Sequence, residues 1–167
     1  EKIARVPVEV VIASEFRYRE APLTPNGLSI VISQSGETAD TLASLRYSKS
    51  QGQHTLALVN VPESTIAREA DVALRTYAGP EIGVASTKAF TCQLAALACL
   101  ALLAAKQRGQ LSKALEQELV GALVEAPRHM SEILKQEKHI AGVAREIAHA
   151  KDVLYLGRGI NYPIALE

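Results

Sequence analysis

The sequence predicts an α/β protein with a parallel sheet that is covered on both faces by helices. Short apolar runs rich in β-branched residues alternate along the chain with helical patterns of about ten residues, the length that joins parallel strands. Hydrophobic residues make up 48% of the chain, yet there are only two Phe and no Trp, so the predicted core consists of Ala, Leu, Val and Ile. With 167 residues, the chain is long enough for one domain.

The best-defined element is the segment from Gly27 to Thr38. Ile30, Val31 and Ile32 predict a buried strand, and a turn of Ser, Gln, Ser, Gly, Glu and Thr follows before a helical pattern begins at Ala39. Such a junction suits an anion, because the first N–H groups of a helix have no partner within it and lie at the positive end of its dipole. The turn contains no lysine, which argues against the nucleotide-binding loop of P-loop proteins.

The side chains of this turn support a phosphate site but leave a second interpretation open. Ser33, Ser35 and Thr38 supply hydroxyl groups, and Gly36 allows close approach of a ligand to the backbone. Ser35 is equally a good N-cap residue, whatever binds nearby. Glu37 complicates the phosphate hypothesis, because its carboxylate would repel a phosphate unless it points away.

The other elements of the first two thirds follow from periodicity and turn residues. Predicted strands lie at residues 8–13, 55–59 and 71–75, and predicted helices at residues 14–19, 39–50, 64–70 and 88–107. The last helix is apolar nearly all round, so we expect it to be deeply buried. Its most apolar run, residues 94–105, has 12 residues against the roughly 20 that span a bilayer, which favours a core helix.

The last third of the chain is predicted to be mainly helical. Ser112 is a plausible cap for one helix, and Pro127 is expected to begin the next as its N1 residue, with an apolar stripe that continues to about Ala150. Residues 153–156 predict a further strand, and a short helix opens at Pro163. Because the pattern begins late in one helix and stops early in another, we expect the sequence to be part of a longer protein.

A second loop, residues 81–88, precedes the apolar helix. Loops at the carboxyl ends of neighbouring strands converge in a doubly wound sheet, so we expect this loop and the first turn to line one pocket. A capped core helix is the alternative explanation. Glu81 and Glu167 would act as acid–base groups only if the fold brings them to that pocket.

Composition and spacing exclude several classes of function. Lys plus Arg and Asp plus Glu both number 18, so nothing suggests nucleic acid or an anionic membrane as a partner. The four histidines are dispersed, which argues against a metal site. Cys92 and Cys99 are expected to be small buried residues in a reduced compartment. With no signal peptide pattern, we expect a soluble cytoplasmic protein.

Three motifs in order resemble one family. Residues 33–42, 81–90 and 156–167, supported by residues 1–10 and 13–19, are similar to the isomerase half of the glutamine–fructose-6-phosphate aminotransferases. The resemblance implies a sugar isomerase (SIS) fold, which is a flavodoxin-like, doubly wound three-layer α/β/α sandwich. This sandwich surrounds a five-stranded parallel sheet and occurs twice in the isomerase half.

The resemblance also assigns site residues. The phosphate of a hexose 6-phosphate would be bound by Ser33, Gln34, Ser35 and Thr38. The sugar would contact the backbone around Val84 and Ser86. Glu81 and Glu167 match acidic positions near the sugar, with no catalytic role fixed for either. No cofactor is implied.

Applied to the whole chain, the resemblance implies a division into three parts. Residues 1–110 would be most of a first SIS unit without its first strand, residues 111–151 a helical connector, and residues 152–167 the start of a second unit. The predicted strand at residues 153–156 is a candidate to fill the vacant place in its own sheet or in that of a second copy.

The implied reaction converts fructose 6-phosphate and ammonia to glucosamine 6-phosphate through ring opening, imine formation and proton transfer. A glutaminase domain and the remainder of the isomerase would be partners, in a homodimer. The family's base for proton transfer, its ring-opening histidine and its Schiff-base lysine lie outside the matched segments, so we expect the 167 residues alone to be inactive. A SIS sugar-phosphate sensor of a regulator, and a segment that binds no ligand, remain alternatives.

Overall fold

The computed structural model of the chain describes residues 2–83 and 86–166. The described residues include a three-stranded parallel sheet in the order β1-β2-β3. The strands are β1 (Leu28–Ser33), β2 (His54–Val59) and β3 (Val72–Arg75). The predicted α/β class with a parallel sheet is confirmed, as are the individual strands at residues 55–59 and 71–75.

Seven α-helices accompany the sheet in the described ranges. They are α1 (Ala13–Arg19), α2 (Ala39–Ser50), α3 (Thr65–Glu69), α4 (Lys88–Gln107), α5 (Lys113–Leu134), α6 (Glu137–Ile147) and α7 (Tyr162–Leu166). A 3-10 turn, Gly159–Asn161, precedes α7. The chain divides into two compact units, Glu1–Glu118 and Leu119–Glu167, and the sheet with its loops belongs to the first.

Parallel pairing sets the frame of the first unit. β1 pairs with β2 from Leu28 opposite His54 to Ser33 opposite Val59, and β3 continues the ladder on the other side of β2. The carboxyl ends of all three strands therefore lie at one edge of the sheet. The core packs side chains of β1 and β2 against α2 and α3, and its buried members are Val31, Leu45, Ala57, Val59 and Ile66.

Two predicted strands are wrong. Residues 8–12 form no regular element and α1 begins at Ala13, while residues 152–158 are also irregular. Both segments are exposed, with Val10 at 91% and Leu156 at 89%. A strand is stable only when its backbone groups are paired, and neither segment lies in the ladder of the described sheet, which has three strands instead of five. The segment 153–156 therefore does not fill a place in its own sheet, and exchange with a second copy stays a prediction.

The predicted helix boundary at Pro127 is also wrong. Helix α5 runs through Pro127, although an interior proline removes one hydrogen bond and its ring crowds the carbonyl four residues earlier. The 22-residue helix keeps its other turns on both sides of this position. The hydroxyl of Ser131 donates to the Pro127 carbonyl at 2.9 Å. The predicted cap is confirmed, since Ser112 Oγ accepts the N–H of Leu115 at 3.2 Å.

Helix α4 is less buried than predicted. Ala89, Leu102 and Ala105 are buried, but Leu103 is 55% exposed. An apolar helix is buried all round only when other elements surround it. By length and composition alone α4 is able to cross a membrane, a test that the core helices of soluble proteins also pass.

Asp71 connects β2 and β3 at the ends where both strands begin. Its carboxylate accepts hydrogen bonds from both the N–H and the hydroxyl of Thr55, each at 2.8 Å, and the Asp71 N–H donates to Thr55 Oγ1. Lys49 Nζ lies 3.1 Å from the same carboxylate. These contacts, the Thr55 hydroxyl first, lower the pKa of Asp71 from 3.8 to about 2.

Replacing Asp71 with Asn is expected to lower the melting temperature at pH 7 and to reduce its acid dependence. Because folding lowers this pKa, the stabilisation is complete above pH 3.8 and is lost as the pH falls towards 2. Melting curves followed by circular dichroism between pH 7 and pH 2 measure both effects. Asp152→Asn, in an exposed segment, is the control, and identical pH profiles for Asp71→Asn and the unmodified chain would contradict the assignment.

Candidate functional site

The turn after β1 is organised by its hydroxyl groups. The buried Ser33 Oγ accepts the N–H of Gly36 at 3.0 Å and lies 2.9 Å from Thr38 Oγ1. Ser35 Oγ accepts the N–H of Glu37 at 3.2 Å. Thr38, not Ser35, occupies the N-cap position of α2, and in the described part of the chain its side chain makes no capping hydrogen bond to that helix. The interpretation of Ser35 as an N-cap is therefore wrong, since the helix begins three residues later than a cap at Ser35 requires.

Gly36 fits tightly against the start of α3. Its φ is +68°, and a Cβ added there would lie 2.0 Å from Ser64 Oγ and 2.5 Å from Ser64 Cβ. Its carbonyl accepts the N–H of Ile66 at 3.0 Å. Both the left-handed backbone and the close approach require glycine at this position.

Glu37 points away from the start of α2. Its Oε1 accepts the N–H of Thr65 at 2.7 Å, so the carboxylate caps α3. This backbone hydrogen bond is the main cause of the lowered pKa of Glu37. Glu37 therefore does not direct its charge at a phosphate bound at the start of α2, because its carboxylate is hydrogen-bonded to α3.

Asn60 is a site residue that the sequence reasoning missed. It follows β2 directly, is buried, and donates its backbone N–H to the Gln34 carbonyl of the turn at 3.1 Å. Its side chain reaches the segment after β3. Oδ1 accepts the Thr76 hydroxyl at 3.1 Å and the Ala78 N–H at 2.9 Å, and Nδ2 donates to the Gly79 carbonyl at 2.8 Å. The signal that the sequence offered was an Asn directly after the apolar run at residues 55–59.

Glu81 closes the second loop. Its Oε1 accepts the hydroxyl of Thr87 at 2.8 Å and the N–H of the same residue at 3.2 Å, while Oε2 accepts the N–H of Ala89 at 3.1 Å. The hydroxyl of Thr87 is the largest cause of the lowered pKa of Glu81. Both carboxylate oxygens are therefore engaged at the start of α4.

The structure brings the four predicted phosphate residues together in one turn, while the predicted sugar residues are only partly described. Ser86 is exposed in the loop before α4. Val84 and Glu167 lie outside the described residues. The turn and the second loop follow β1 and β3, with the end of β2 between them, and Asn60 contacts the turn and the segment that leads to the loop. Among residues 2–83 and 86–166, no group of three or more His, Cys, Asp or Glu is arranged for a metal ion.

Comparisons with known proteins agree on one family. The SIS domain pattern matches residues 1–103. The glutamine–fructose-6-phosphate aminotransferase (isomerizing) of Bradyrhizobium diazoefficiens is 65% identical over 167 residues, and that of Brucella abortus is 59% identical over the same length. Each match covers 100% of this chain and 28% of the relative, so the chain spans little more than a quarter of these enzymes.

Two solved structures are similar to the chain. The C-terminal domain of the glucosamine-fructose-6-phosphate aminotransferase of Francisella tularensis superposes with a TM-score of 0.95 at 44% identity, covering 98% of this chain and 47% of that one. The glucosamine-6-phosphate deaminase of Thermotoga maritima superposes with a TM-score of 0.52 at 26% identity, covering 64% of this chain and 33% of the other.

Replacing Gly36 with Ala is expected to destabilise the first unit more than the same change at Gly109. Both glycines have positive φ, which costs about 1–2 kcal/mol for alanine. Only Gly36 has Ser64 in the way, so its variant should lose about 1–3 kcal/mol more through overpacking. Denaturant unfolding of both variants measures the difference, and equal losses would show that the contact with Ser64 adds nothing.

Proposed function

The chain belongs to the SIS domain family, and on this premise we propose that it binds the phosphate end of a hexose 6-phosphate in an enzyme that forms glucosamine 6-phosphate. The site residues would be Ser33, Gln34, Ser35 and Thr38. The sequence identity to aminotransferases that act on fructose 6-phosphate supports this choice of substrate.

One observation carries the proposal. Three helices begin at the carboxyl edge of the sheet, and two of them are capped by carboxylates from loops, α3 by Glu37 and α4 by Glu81. Helix α2 begins at Ala39, and within the described residues the side chain of its N-cap residue, Thr38, makes no capping hydrogen bond. The first N–H groups of a helix have no partners within it. An anion among the hydroxyl groups of the turn is therefore favoured at α2 and not at the other two helices.

Acidic side chains near the start of α2 are neutralised elsewhere. Glu37 caps α3, and Asp40 lies 3.0 Å from Arg17 Nη1 in an ion pair with α1. The hydrogen bond to Asp40 is also the main cause of the raised pKa of Arg17. A phosphate at the turn would therefore meet hydroxyl and amide donors without an uncompensated carboxylate beside it, although no Lys or Arg lies in the turn itself.

The sugar end of the ligand would lie towards the second loop. We propose that Val84 and Ser86 contact the sugar through the backbone, as the resemblance implies. Glu81 would position this loop instead of transferring a proton, because both of its oxygens accept hydrogen bonds and its pKa is lowered. A role for Glu167 near the sugar is part of the proposal.

The wider activity also belongs to the proposal, because the chain covers 28% of its relatives. It comprises amination of fructose 6-phosphate with ammonia from a glutaminase domain, in a cytoplasmic homodimer that needs no cofactor. The inactivity of the 167 residues alone stays a prediction. If the complete protein binds hexose 6-phosphate but forms no glucosamine 6-phosphate from fructose 6-phosphate and ammonia, the sensor alternative gains support.

Replacing Ser35 and Thr38 with Ala is expected to weaken binding of fructose 6-phosphate and glucosamine 6-phosphate while leaving the fold intact. Hydrogen bonds to charged groups contribute about 1.5–3 kcal/mol, so each hydroxyl lost should weaken binding about tenfold or more. Calorimetric titration measures affinity, and circular dichroism checks the fold.

Ser50→Ala is the matched control for this experiment. Ser50 lies at the opposite end of α2, and its hydroxyl donates to the Tyr47 carbonyl. Its removal should leave affinity unchanged. If the variants at the turn bind as tightly as this control, the hydroxyl groups of the turn do not bind phosphate and only organise the turn.

A further inference from the structure

Asn60 is placed between the two loops that the proposed function requires. Asn60 is connected to the turn by its backbone and to the segment after β3 by its side chain. The hydrogen bond to Gln34 in the turn comes from the backbone N–H. The bonds to Thr76, Ala78 and Gly79 come from the side-chain amide. A substitution at this position therefore removes the second connection and leaves the first.

The segment that the Asn60 side chain contacts contains a strained residue. Tyr77 has a φ of +55°, a conformation that is rare for a bulky side chain. The residues on either side of it, Thr76 and Ala78, both donate to Asn60 Oδ1. Such a conformation persists only where neighbouring groups fix it, and here the amide of Asn60 supplies three hydrogen bonds around it.

From these contacts we infer that Asn60 is a positioning residue that fixes the sugar-facing loop relative to the phosphate-binding turn. Residues 76–79 lead directly into Glu81, which closes the loop before α4. By fixing the start of this path, the Asn60 side chain determines where Glu81 and its partner Thr87 lie beside a sugar whose phosphate is bound at the turn. The inference rests on the proposed function.

Substitution of Asn60 should therefore affect the two ends of the ligand differently. In Asn60→Ala the backbone N–H still donates to Gln34, so the turn keeps its position and its affinity for inorganic phosphate. The second loop loses its fixed start, so contacts with the sugar weaken. Loss of one or two neutral hydrogen bonds corresponds to a decrease of about 5- to 30-fold in affinity for fructose 6-phosphate.

Thr55→Val is the matched control. Thr55 is a buried polar residue at the other end of β2, and its hydroxyl bonds to Asp71 at the amino edge of the sheet. This variant should also be less stable than the unmodified chain, but it should bind both ligands normally. It separates a general loss of stability from a specific effect on the loop.

The experiment measures the affinities of the unmodified 167-residue chain, Asn60→Ala and Thr55→Val for inorganic phosphate and for fructose 6-phosphate by NMR titration. We expect Asn60→Ala to have a lower affinity for fructose 6-phosphate and an unchanged affinity for inorganic phosphate. Thr55→Val should have unchanged affinities for both ligands. If Asn60→Ala loses affinity equally for both ligands, or loses none, the inference is overturned. If the unmodified chain binds neither ligand, the proposed function fails and the role of Asn60 fails with it.

Amide hydrogen exchange without ligand provides a second readout. The N–H groups of Thr87 and Ala89 are held by Glu81, and Asn60 contacts neither residue in the hydrogen-bond network. In Asn60→Ala these amides should exchange faster, while the N–H of Gly36, which is bound to Ser33, should be unaffected. Unchanged exchange at Thr87 and Ala89 would show that the Asn60 side chain does not position the loop, even where the unmodified chain binds sugar phosphate.

Discussion

The parallel pairing of β1 with β2 determines where the groups of the candidate site lie. Ser33 stands opposite Val59 at the end of the ladder, and the next residues continue the contact through the bond from Asn60 to Gln34. A shift of one residue in this register would turn the side chains to opposite faces and move the turn away from α3. The tight fit of Gly36 against Ser64 depends on the same register, because β2 leads into α3.

Carboxylates at the carboxyl edge act mainly as helix caps. Glu37 and Glu81 each accept backbone N–H groups at the start of a helix other than α2. The ionised side chains thus remain close to the site without facing the proposed phosphate. The result is a site made of neutral donors and helix N–H groups, surrounded by charges that are already compensated.

Local sequence patterns were sufficient for β1, its turn and α2, because β-branched residues, hydroxyl groups and Gly36 act within a few positions of one another. They failed at residues 8–13 and 153–156, because an apolar run forms a strand only when its backbone groups pair with those of another strand. The partners of Glu37 and Asn60 were also beyond such patterns, since they lie up to 28 positions away in the sequence. Tertiary contacts, not propensity, decide these positions.

The hydrogen bonds of Glu81 across the second loop have a consequence for substitutions inside that loop. One side chain ties Thr87 and Ala89 to the residue that begins the loop, so both ends are fixed by the same carboxylate. Substitutions at the described positions 82, 83 and 86 are therefore expected to leave the start of α4 in place. If this ring faces the sugar, as proposed, substitutions inside it would change contacts with the sugar and leave the turn after β1 in place.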